Sequence, residues 1–534
     1  MRKRVYTFYA LLMVLLAASC YSIVHVSTGS EYVDAAGRQS IYELDVAQSR
    51  GCIYDCKLEP LTGTQRRLLA AVAPTIESIG TLETATEGKY RERLAVALES
   101  GKPFVMEVPE MLEGSCIDVF NVPRRYADDQ LAPHVIGYTD SLGGGVSGVE
   151  KAMNDVLEQS TGEVKVYYRV DAIGRVIAGE DRGVTNTLSE SRAGVALTLD
   201  TAIQRLAEEA AADLGKGAVV VTEVPNCEVR ALVSMPQYSP NDVGAAAEDE
   251  DAPLINRAFS AYSPGSIFKL VTAAVEIENR ADGYQTNCTG SVNVDGMEFR
   301  CIDGTAHGQV NLKTAVEKSC NCYFISAARA LGAQPVLSMA YNLGFGVQQE
   351  FGRGWFSEAG NLPSASELTN LRALANFSFG QGELTVTPVQ AAAMMNCIAS
   401  GGQYSPPRLI AGTVDSSLNL TPHEPLTGGT VSAMQRTTAS RLQSYLESAV
   451  TQGTAITGKT ESAKTGAKTG TAQTGVFQGQ DELLHFWYCG YVCDSSGPKY
   501  CITVLKEYST SDDGATGEVF RRIAEGLAEL GLTE

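Results

Sequence analysis

Hydrophobic and polar positions divide the chain into three stretches of different character. The first is short: Arg2, Lys3 and Arg4 precede an uncharged, mostly apolar run from Val5 to Val24. About 20 apolar residues cross a bilayer as a helix, and basic residues ahead of the run with none close behind predict an N-terminus on the inner side. Two other readings exist: a cleaved secretory signal, and a lipoprotein signal, because Leu16-Ala17-Ala18-Ser19-Cys20 is a loose lipobox match. All three export the remainder of the chain. The length of the run favours an uncleaved anchor over 5–24, with 1–4 as a cytoplasmic tail.

The second stretch, 26–180, mixes short strand-like runs with polar loops punctuated by glycine. Two helical stretches are predicted between 64 and 100, one beginning at Thr64-Gln65-Arg66-Arg67-Leu68-Leu69 and one over Lys89–Leu98. Gly143, Gly144, Gly145 and Gly148 mark a turn before a helix at about 149–157. Residues 181–193 are polar without apolar periodicity and read as a linker.

The third stretch, 194–534, opens on a clear pattern. Gly194–Leu199 alternates as a strand, and Asp200 is placed to cap the next helix through its carboxylate. In that helix Ile203, Leu206, Ala207, Ala210, Ala211 and Leu214 recur at three- and four-residue spacings, so one face is buried. Ala218–Val221 and Val229–Val233 flank Pro225-Asn226-Cys227 as a hairpin. Two further strands, Phe486–Tyr491 and Tyr500–Leu505, precede an amphipathic helix over Phe520–Leu530. Strands at both ends around a helical middle predict an α+β domain with one antiparallel sheet closed by both termini and helices packed on it.

Composition narrows the partners. The chain has 534 residues, enough for two or three folded units, and 44% apolar with 19% charged residues is globular composition. A net charge of −20 argues against nucleic acid, which needs a basic face, and gives no attraction to anionic lipid. Membrane contact therefore falls to the apolar segment. Thirteen cysteines are many for an exported chain. Cys320-x-Cys322 and Cys489-x3-Cys493 have spacings that zinc tolerates, but neither has a second ligand pair at a familiar distance. Scattered thiols in a low-oxygen environment are expected instead, with no metal and no cofactor. Cys288 and Cys301 flank a segment whose reversal would bring them together, which makes them the best disulfide candidates.

Three motifs carry chemistry. Ser266 follows Pro264-Gly265 and opens an apolar helical run over 267–275, where unpaired backbone N–H groups favour developing negative charge. Lys269 lies three residues on, so its amine shares a face with the hydroxyl and, when neutral, can remove its proton. An unperturbed lysine with a pKa near 10.4 is a poor base at neutral pH, so a second nearby cation is expected. By itself Ser-x-x-Lys is common. Ser319-Cys320-Asn321 follows some fifty residues on, in a helix over 313–327 broken by polar residues. Lys468-Thr469-Gly470-Thr471 follows on a strand running to Gln473. Lys464-Thr465-Gly466 offers the same triplet four residues earlier.

Ser-x-x-Lys, Ser-x-Asn and Lys-Thr-Gly in this order are the signature of active-site serine penicillin-binding proteins and β-lactamases. The chain resembles a class B (monofunctional) penicillin-binding protein over most of its length. Leu197-Thr198-Leu199-Asp200 with Gln204 resembles the opening strand and helix of that family's transpeptidase domain. Phe379-Gly380-Gln381-Gly382-Glu383-Leu384 resembles its Gly-Gln-Gly segment, and His485-Phe486-Trp487-Tyr488 its strand after Lys-Thr-Gly. Lys468 is preferred over Lys464 because Gly470-Thr471-Ala472-Gln473 continues it as in the family. Upstream, Arg50–Asp55, His134–Tyr138 and Gly148-Val149-Glu150 resemble a non-catalytic pedestal. Cys52 and Cys56 replace small or basic residues usual there, and Cys227 stands where the hairpin turn is normally glycine.

The resemblance implies a transpeptidase domain of serine β-lactamase-like architecture, with helices on both faces of the sheet, over 194–534. It implies a peptidoglycan D,D-transpeptidase. Ser266 would attack the penultimate D-Ala of a stem peptide, with Lys269 as base and Ser319 and Asn321 as relay and amide holder. Lys468, Thr469, Gly470 and Thr471 would bind the substrate carboxylate. The implied partners are D-Ala-D-Ala stem peptides with their amine acceptors, β-lactams, the cytoplasmic membrane, a glycan polymerase of the SEDS family and other wall-synthesis proteins. The catalytic domain would lie outside the membrane.

Four rivals share parts of the pattern. A β-lactamase or sensor has no use for the pedestal, and no placed carboxylate resembles the deacylating one of class A enzymes. A D,D-carboxypeptidase differs only in letting water resolve the acyl group. A bifunctional enzyme needs a glycosyltransferase domain, and the roughly 165 residues before the transpeptidase carry no acidic motif of that kind. An inactive scaffold would not need all three motifs intact.

Overall fold

The structure, a computed structural model, describes residues 2–28, 40–177, 179, 182–188, 192–424 and 428–533. Contacts divide the chain into two compact units that interleave along the sequence. One comprises Met1–Arg50, Gly63–Arg125 and Ser160–Ser191, the other Gly51–Thr62, Tyr126–Gln159 and Arg192–Glu534. A single boundary near residue 180 does not describe this division. The segments 51–55, 134–138 and 148–150, read from sequence as pedestal, pack within the second unit.

The first unit begins with the helix Arg2–Thr28, exposed throughout and long and apolar enough to cross a membrane. Two three-stranded antiparallel sheets follow. In one, Glu163–Arg169 lies between Ile41–Gln48 and Gly183–Asn186. Residues 183–186, expected in the linker, are thus a strand, while Asp181 and residues 189–191 of that linker lie outside the described residues. In the other sheet Gln65–Val72 is central, between Phe104–Val108 and Ile117–Arg124. The expected helix at Thr64–Leu69 is therefore a strand. Its Gln, Arg, Leu and Ala residues favour helix locally, but pairing on both edges and burial of Ala70, Ala71 and Val72 override that preference. The second expected helix is present as Arg91–Ser100, ended by Gly101 in the left-handed region at φ 65°.

The second unit is built on a five-stranded antiparallel sheet: β1 Gly217–Glu223, β2 Glu228–Met235, β3 Thr465–Gln478, β4 Asp481–Asp494 and β5 Gly497–Ser509. Their order, β2-β1-β5-β4-β3, brings the unit's early hairpin against its last strand, as the alternating patterns at both ends implied. Cys227 at the hairpin turn has φ 55°, which is why glycine is the expected residue there. Successive side chains face opposite sides of the sheet. Val219, Val221, Ile502 and Val504 pack with Ile203, Ala207, Phe520 and Ile523 of the helices Thr201–Ala211 and Ala515–Glu529. Trp487, Cys489, Cys501 and Leu505 pack on the other side with Leu270, Val271 and Ala274 of the helix Lys269–Glu278 and Met394 and Met395 of Pro388–Ala399.

Local signals account for several ends. Asp200 accepts from the N–H groups of Ala202 and Ile203, as its position before the helix predicts. Thr387 and Gln390 form a reciprocal capping box around Pro388. The expected helix over 149–157 is split into Gly148–Ala152 and Asn154–Gln159 at Met153. Strand Cys52–Tyr54 pairs parallel to Gly194–Leu197 at the edge of a four-stranded sheet, which explains the assignment of 51–62 to this unit.

Candidate active site

Ser266 sits in one 3-10 turn, Gly265–Phe268, that runs directly into the helix Lys269–Glu278. The N–H of Lys269 donates to the carbonyls of Ser266 and Ile267, so serine and lysine are held one turn apart. The turn is pinched from two sides by backbone. Gly265, at φ 53°, donates its N–H to the Gly380 carbonyl at 2.9 Å. A Cβ on Gly265 would lie 2.3 Å from the carbonyl oxygen of Thr471, and one on Gly380 would lie 1.9 Å from that of Gly265. Glycine at both positions is what allows β3 and the Gly-Gln-Gly segment to approach the serine so closely. The Trp487 indole N–H donates to the Ser263 carbonyl at 3.0 Å, fixing the entry to the turn.

Lys269 is fully buried and its ammonium has three acceptors: the Ser319 carbonyl at 2.7 Å, the Ser319 hydroxyl at 3.0 Å and Asn321 Oδ1 at 2.5 Å. The expected helix over 313–327 is broken at this point into Leu312–Glu317 and Asn321–Leu331. Ser319 occupies the break at φ 54°, a conformation a non-glycine residue adopts at a cost of about 1–3 kcal/mol. The strain turns both its carbonyl and its hydroxyl toward Lys269. Asn321 in turn donates through Nδ2 to the Arg300 carbonyl at 2.7 Å.

Lys468, also fully buried, reaches the same place from β3. Its ammonium donates to the Ser319 hydroxyl at 3.0 Å and the Thr469 carbonyl at 2.8 Å. Lys464 stands just before β3, 64% exposed, with its ammonium 2.7 Å from Glu447. The two Lys-Thr-Gly copies thus occupy different environments. Gly470 leaves room for Ile267 and the Pro264 carbonyl, each about 3.0 Å from where a Cβ would be. Thr469 and Thr471 are half-buried, and the Thr469 hydroxyl is 3.0 Å from that of Thr454, which no motif indicates.

Burial lowers the pKa of Lys269 to about 7, opposed by the nearby sulfurs of Cys320, Cys301 and Cys322. Lys468 is held well below the ordinary lysine range, first by burial and then by the charge of Lys269. A second cation is present as expected, but loss of hydration is the larger cause of both shifts. Cys288 and Cys301 are brought together with sulfurs 3.7 Å apart, and both are free thiols where a disulfide was expected.

Serine and lysine on one helical turn, a strained Ser-x-Asn and a buried second lysine on an edge strand are groups of the kind that acylation of a serine requires. The penicillin-binding protein transpeptidase domain family matches residues 217–525. The chain belongs to that family. Among its relatives, Stage V sporulation protein D of Bacillus subtilis is 27% identical over 362 residues, covering 66% of this chain and 54% of that protein. Peptidoglycan D,D-transpeptidase PbpA of Mycolicibacterium smegmatis is 28% identical over 434 residues, covering 74% and 82%. The crystal structure of penicillin-binding protein 3 of Mycobacterium tuberculosis complexed with aztreonam has a TM-score of 0.66 at 21% identity, over 92% of this chain and 97% of that one. These likenesses agree with the class B resemblance and with the architecture expected from sequence. Three features of this penicillin-binding protein's site had no sequence signal of their own: the Thr454 hydroxyl, the Arg300 carbonyl under Asn321, and the convergence of Cys288, Cys301, His307 and Cys320.

Proposed function

We propose that this penicillin-binding protein is a peptidoglycan D,D-transpeptidase with Ser266 as its nucleophile. The observation that carries the reading is the Ser319 hydroxyl, which takes a hydrogen bond from both Lys269 and Lys468. In the mechanism Lys269, neutral, removes the Ser266 proton as Oγ attacks the penultimate D-Ala carbonyl. The N–H groups of Ser266 and Thr471 receive the oxyanion, a contribution of about 3–4 kcal/mol per donor in comparable sites. Collapse breaks the peptide bond, and the departing D-Ala nitrogen takes a proton relayed through Ser319. The amine of a neighbouring stem then attacks the ester and loses its proton to Lys269, which passes a proton to Ser266 Oγ as the ester bond breaks.

Lys468, Thr469 and Thr471 hold the terminal carboxylate of the donor, Gly470 gives the strand its close approach, and Asn321 holds the substrate amide. The burial of Lys468 and the exposed ion pair of Lys464 support this choice between the two triplets. A β-lactam carries a strained amide and a carboxylate at comparable positions and acylates Ser266. The basic residues that open the helix Arg2–Thr28 support a single-pass anchor with the catalytic unit outside the membrane. The part of the first unit that follows the apolar helix contributes a pedestal, and glycan polymerisation is left to a partner of the SEDS kind.

The test uses the full-length chain in detergent with a stem pentapeptide ending in D-Ala-D-Ala and an excess of an amine acceptor. Release of D-Ala with formation of the cross-linked peptide supports the reading, and Ser266→Ala abolishes both. D-Ala release with only the hydrolysed peptide, whatever the amine concentration, contradicts transpeptidation.

A further inference from the structure

We propose that Cys288, Cys301, His307 and Cys320 form a tetrahedral zinc site that clamps the Ser319–Asn321 turn. The four residues come from separate places in the second unit. Cys288 ends the strand Gln285–Cys288, and His307 precedes its antiparallel partner Gly308–Asn311. Cys301 follows the hairpin made by Ser291–Val294 and Met297–Arg300. Cys320 lies between Ser319 and Asn321. The three cysteines are almost completely buried, and the donor atoms of all four residues lie within 4.8 Å of one another.

The spacing of the donors identifies the ion. Zn–S bonds of about 2.3 Å and Zn–N bonds of about 2.0–2.1 Å in a tetrahedron separate two sulfurs by about 3.8 Å and sulfur from nitrogen by about 3.6 Å. The sulfurs of Cys288 and Cys301 are 3.7 Å apart, and those of Cys301 and Cys320 are 3.9 Å apart. Cys288 Sγ is 3.5 Å from His307 Nδ1. Thiolates and imidazole are the donors zinc prefers, and oxygen-seeking ions are poorly served here. Cys322, with its sulfur 3.6 Å from that of Cys301, is a fourth thiol at the edge of the group, able to replace His307.

Two consequences follow from where the donors sit. Two-stranded sheets are marginal without a further constraint, and an ion joining 288, 301, 307 and 320 supplies one. The ion also reaches the catalytic groups from both directions. Cys320 fixes the peptide between Ser319 and Asn321, and Cys301 fixes the residue after Arg300, whose carbonyl holds the Asn321 amide. The sequence gives no paired ligand spacing, because the donors stand as Cys-x12-Cys-x5-His-x12-Cys. Hence no metal was expected from it.

The test is made on the full-length chain in detergent, purified reduced with zinc and dialysed. Elemental analysis is expected to find about one zinc per chain, and cobalt exchanged for it to show tetrahedral ligand-field bands with thiolate-to-cobalt charge transfer. Cys301→Ser is expected to lose most of the ion, while His307→Ala keeps the charge-transfer bands. Chelation is expected to raise amide hydrogen exchange across 285–322 at least tenfold while the five-stranded sheet stays protected. A folded chain that holds no zinc, cobalt bound without thiolate charge transfer, or a Cys288–Cys301 disulfide overturns the site. Zinc retained with exchange unchanged on its removal overturns the clamp. None of these readouts depends on acyl transfer, so they stand or fall separately from the proposed activity.

Discussion

Lys269 and Lys468 place their ammonium nitrogens on one oxygen, each 3.0 Å from the Ser319 hydroxyl. Two charged amines so close and so fully buried are mutually unfavourable, and burial lowers the pKa of both. At neutral pH the pair therefore sheds a proton, leaving one amine able to act as a base. The relation turns a common Ser-x-x-Lys into a reactive one.

The pH dependence of acylation follows from it. Lys269 must be neutral to accept the Ser266 proton, and its pKa lies near 7. Raising the pH through 7 removes that proton, so the second-order rate of penicillin acylation should rise with a midpoint near 7. Lys269→Arg, which cannot deprotonate, should lower the rate by about 10²–10⁴-fold and flatten the profile. Stopped-flow acylation across pH 5.5–8.5, a range of about three units around that midpoint, is the measurement. A wild-type profile that is flat there contradicts Lys269 as the base.

The two Lys-Thr-Gly copies should separate sharply. Lys464 makes a surface ion pair with Glu447, an interaction of about 0–1 kcal/mol. Lys464→Ala should change acylation by no more than about threefold, whereas Lys468→Ala should lower it by at least about 10²-fold. The reverse order moves the site four residues upstream.

The close approach of backbones at Gly380 should be intolerant of one methyl group. Gly380→Ala puts a carbon 1.9 Å from the Gly265 carbonyl oxygen at a positive φ, so the turn carrying Ser266 must shift. A displacement of about 1 Å costs about 10²-fold in rate. Acylation should fall by that order with the thermal midpoint lowered. Gly382→Ala, whose added carbon would be 3.3 Å from the Asn376 side chain, should cost less.

A buried ion pair links the approach to the nucleophile with the last strand. Arg257 Nε lies 2.6 Å from Glu507 Oε1, and the guanidinium also donates to the carbonyls of Asp251 and Ala252. Arg257→Met should destabilise by about 3–5 kcal/mol, because the buried Glu507 carboxylate loses its cation. Adding Glu507→Leu should recover part of that loss in thermal unfolding. No recovery contradicts the charge as the cause.

How much of this was legible in the sequence varied with the kind of signal. The sheet, its closure by both ends and the cap at Asp200 followed from period-2 and period-3.6 patterns, which report burial directly. The pattern failed at Gln65–Val72, where helix-favouring residues form a central strand because partners on both edges decide the conformation. Ser266, Lys269, Ser319, Asn321 and Lys468 were nameable because chemistry fixes residue types at fixed spacings. The strained φ of Ser319, the pinch at Gly265 and the Thr454 hydroxyl depend on chain segments meeting from far apart. The same holds for His307, which joins three cysteines only after two small antiparallel strand pairs have formed.

The central claim is that Ser266 is the acylated nucleophile, and intact-mass analysis of the full-length chain after exposure to benzylpenicillin tests it most directly. One adduct per chain, mapped by digestion to the peptide containing Ser266 and absent from Ser266→Ala, is the predicted result. An adduct of equal stoichiometry on folded Ser266→Ala, or one mapped to another serine, contradicts the account.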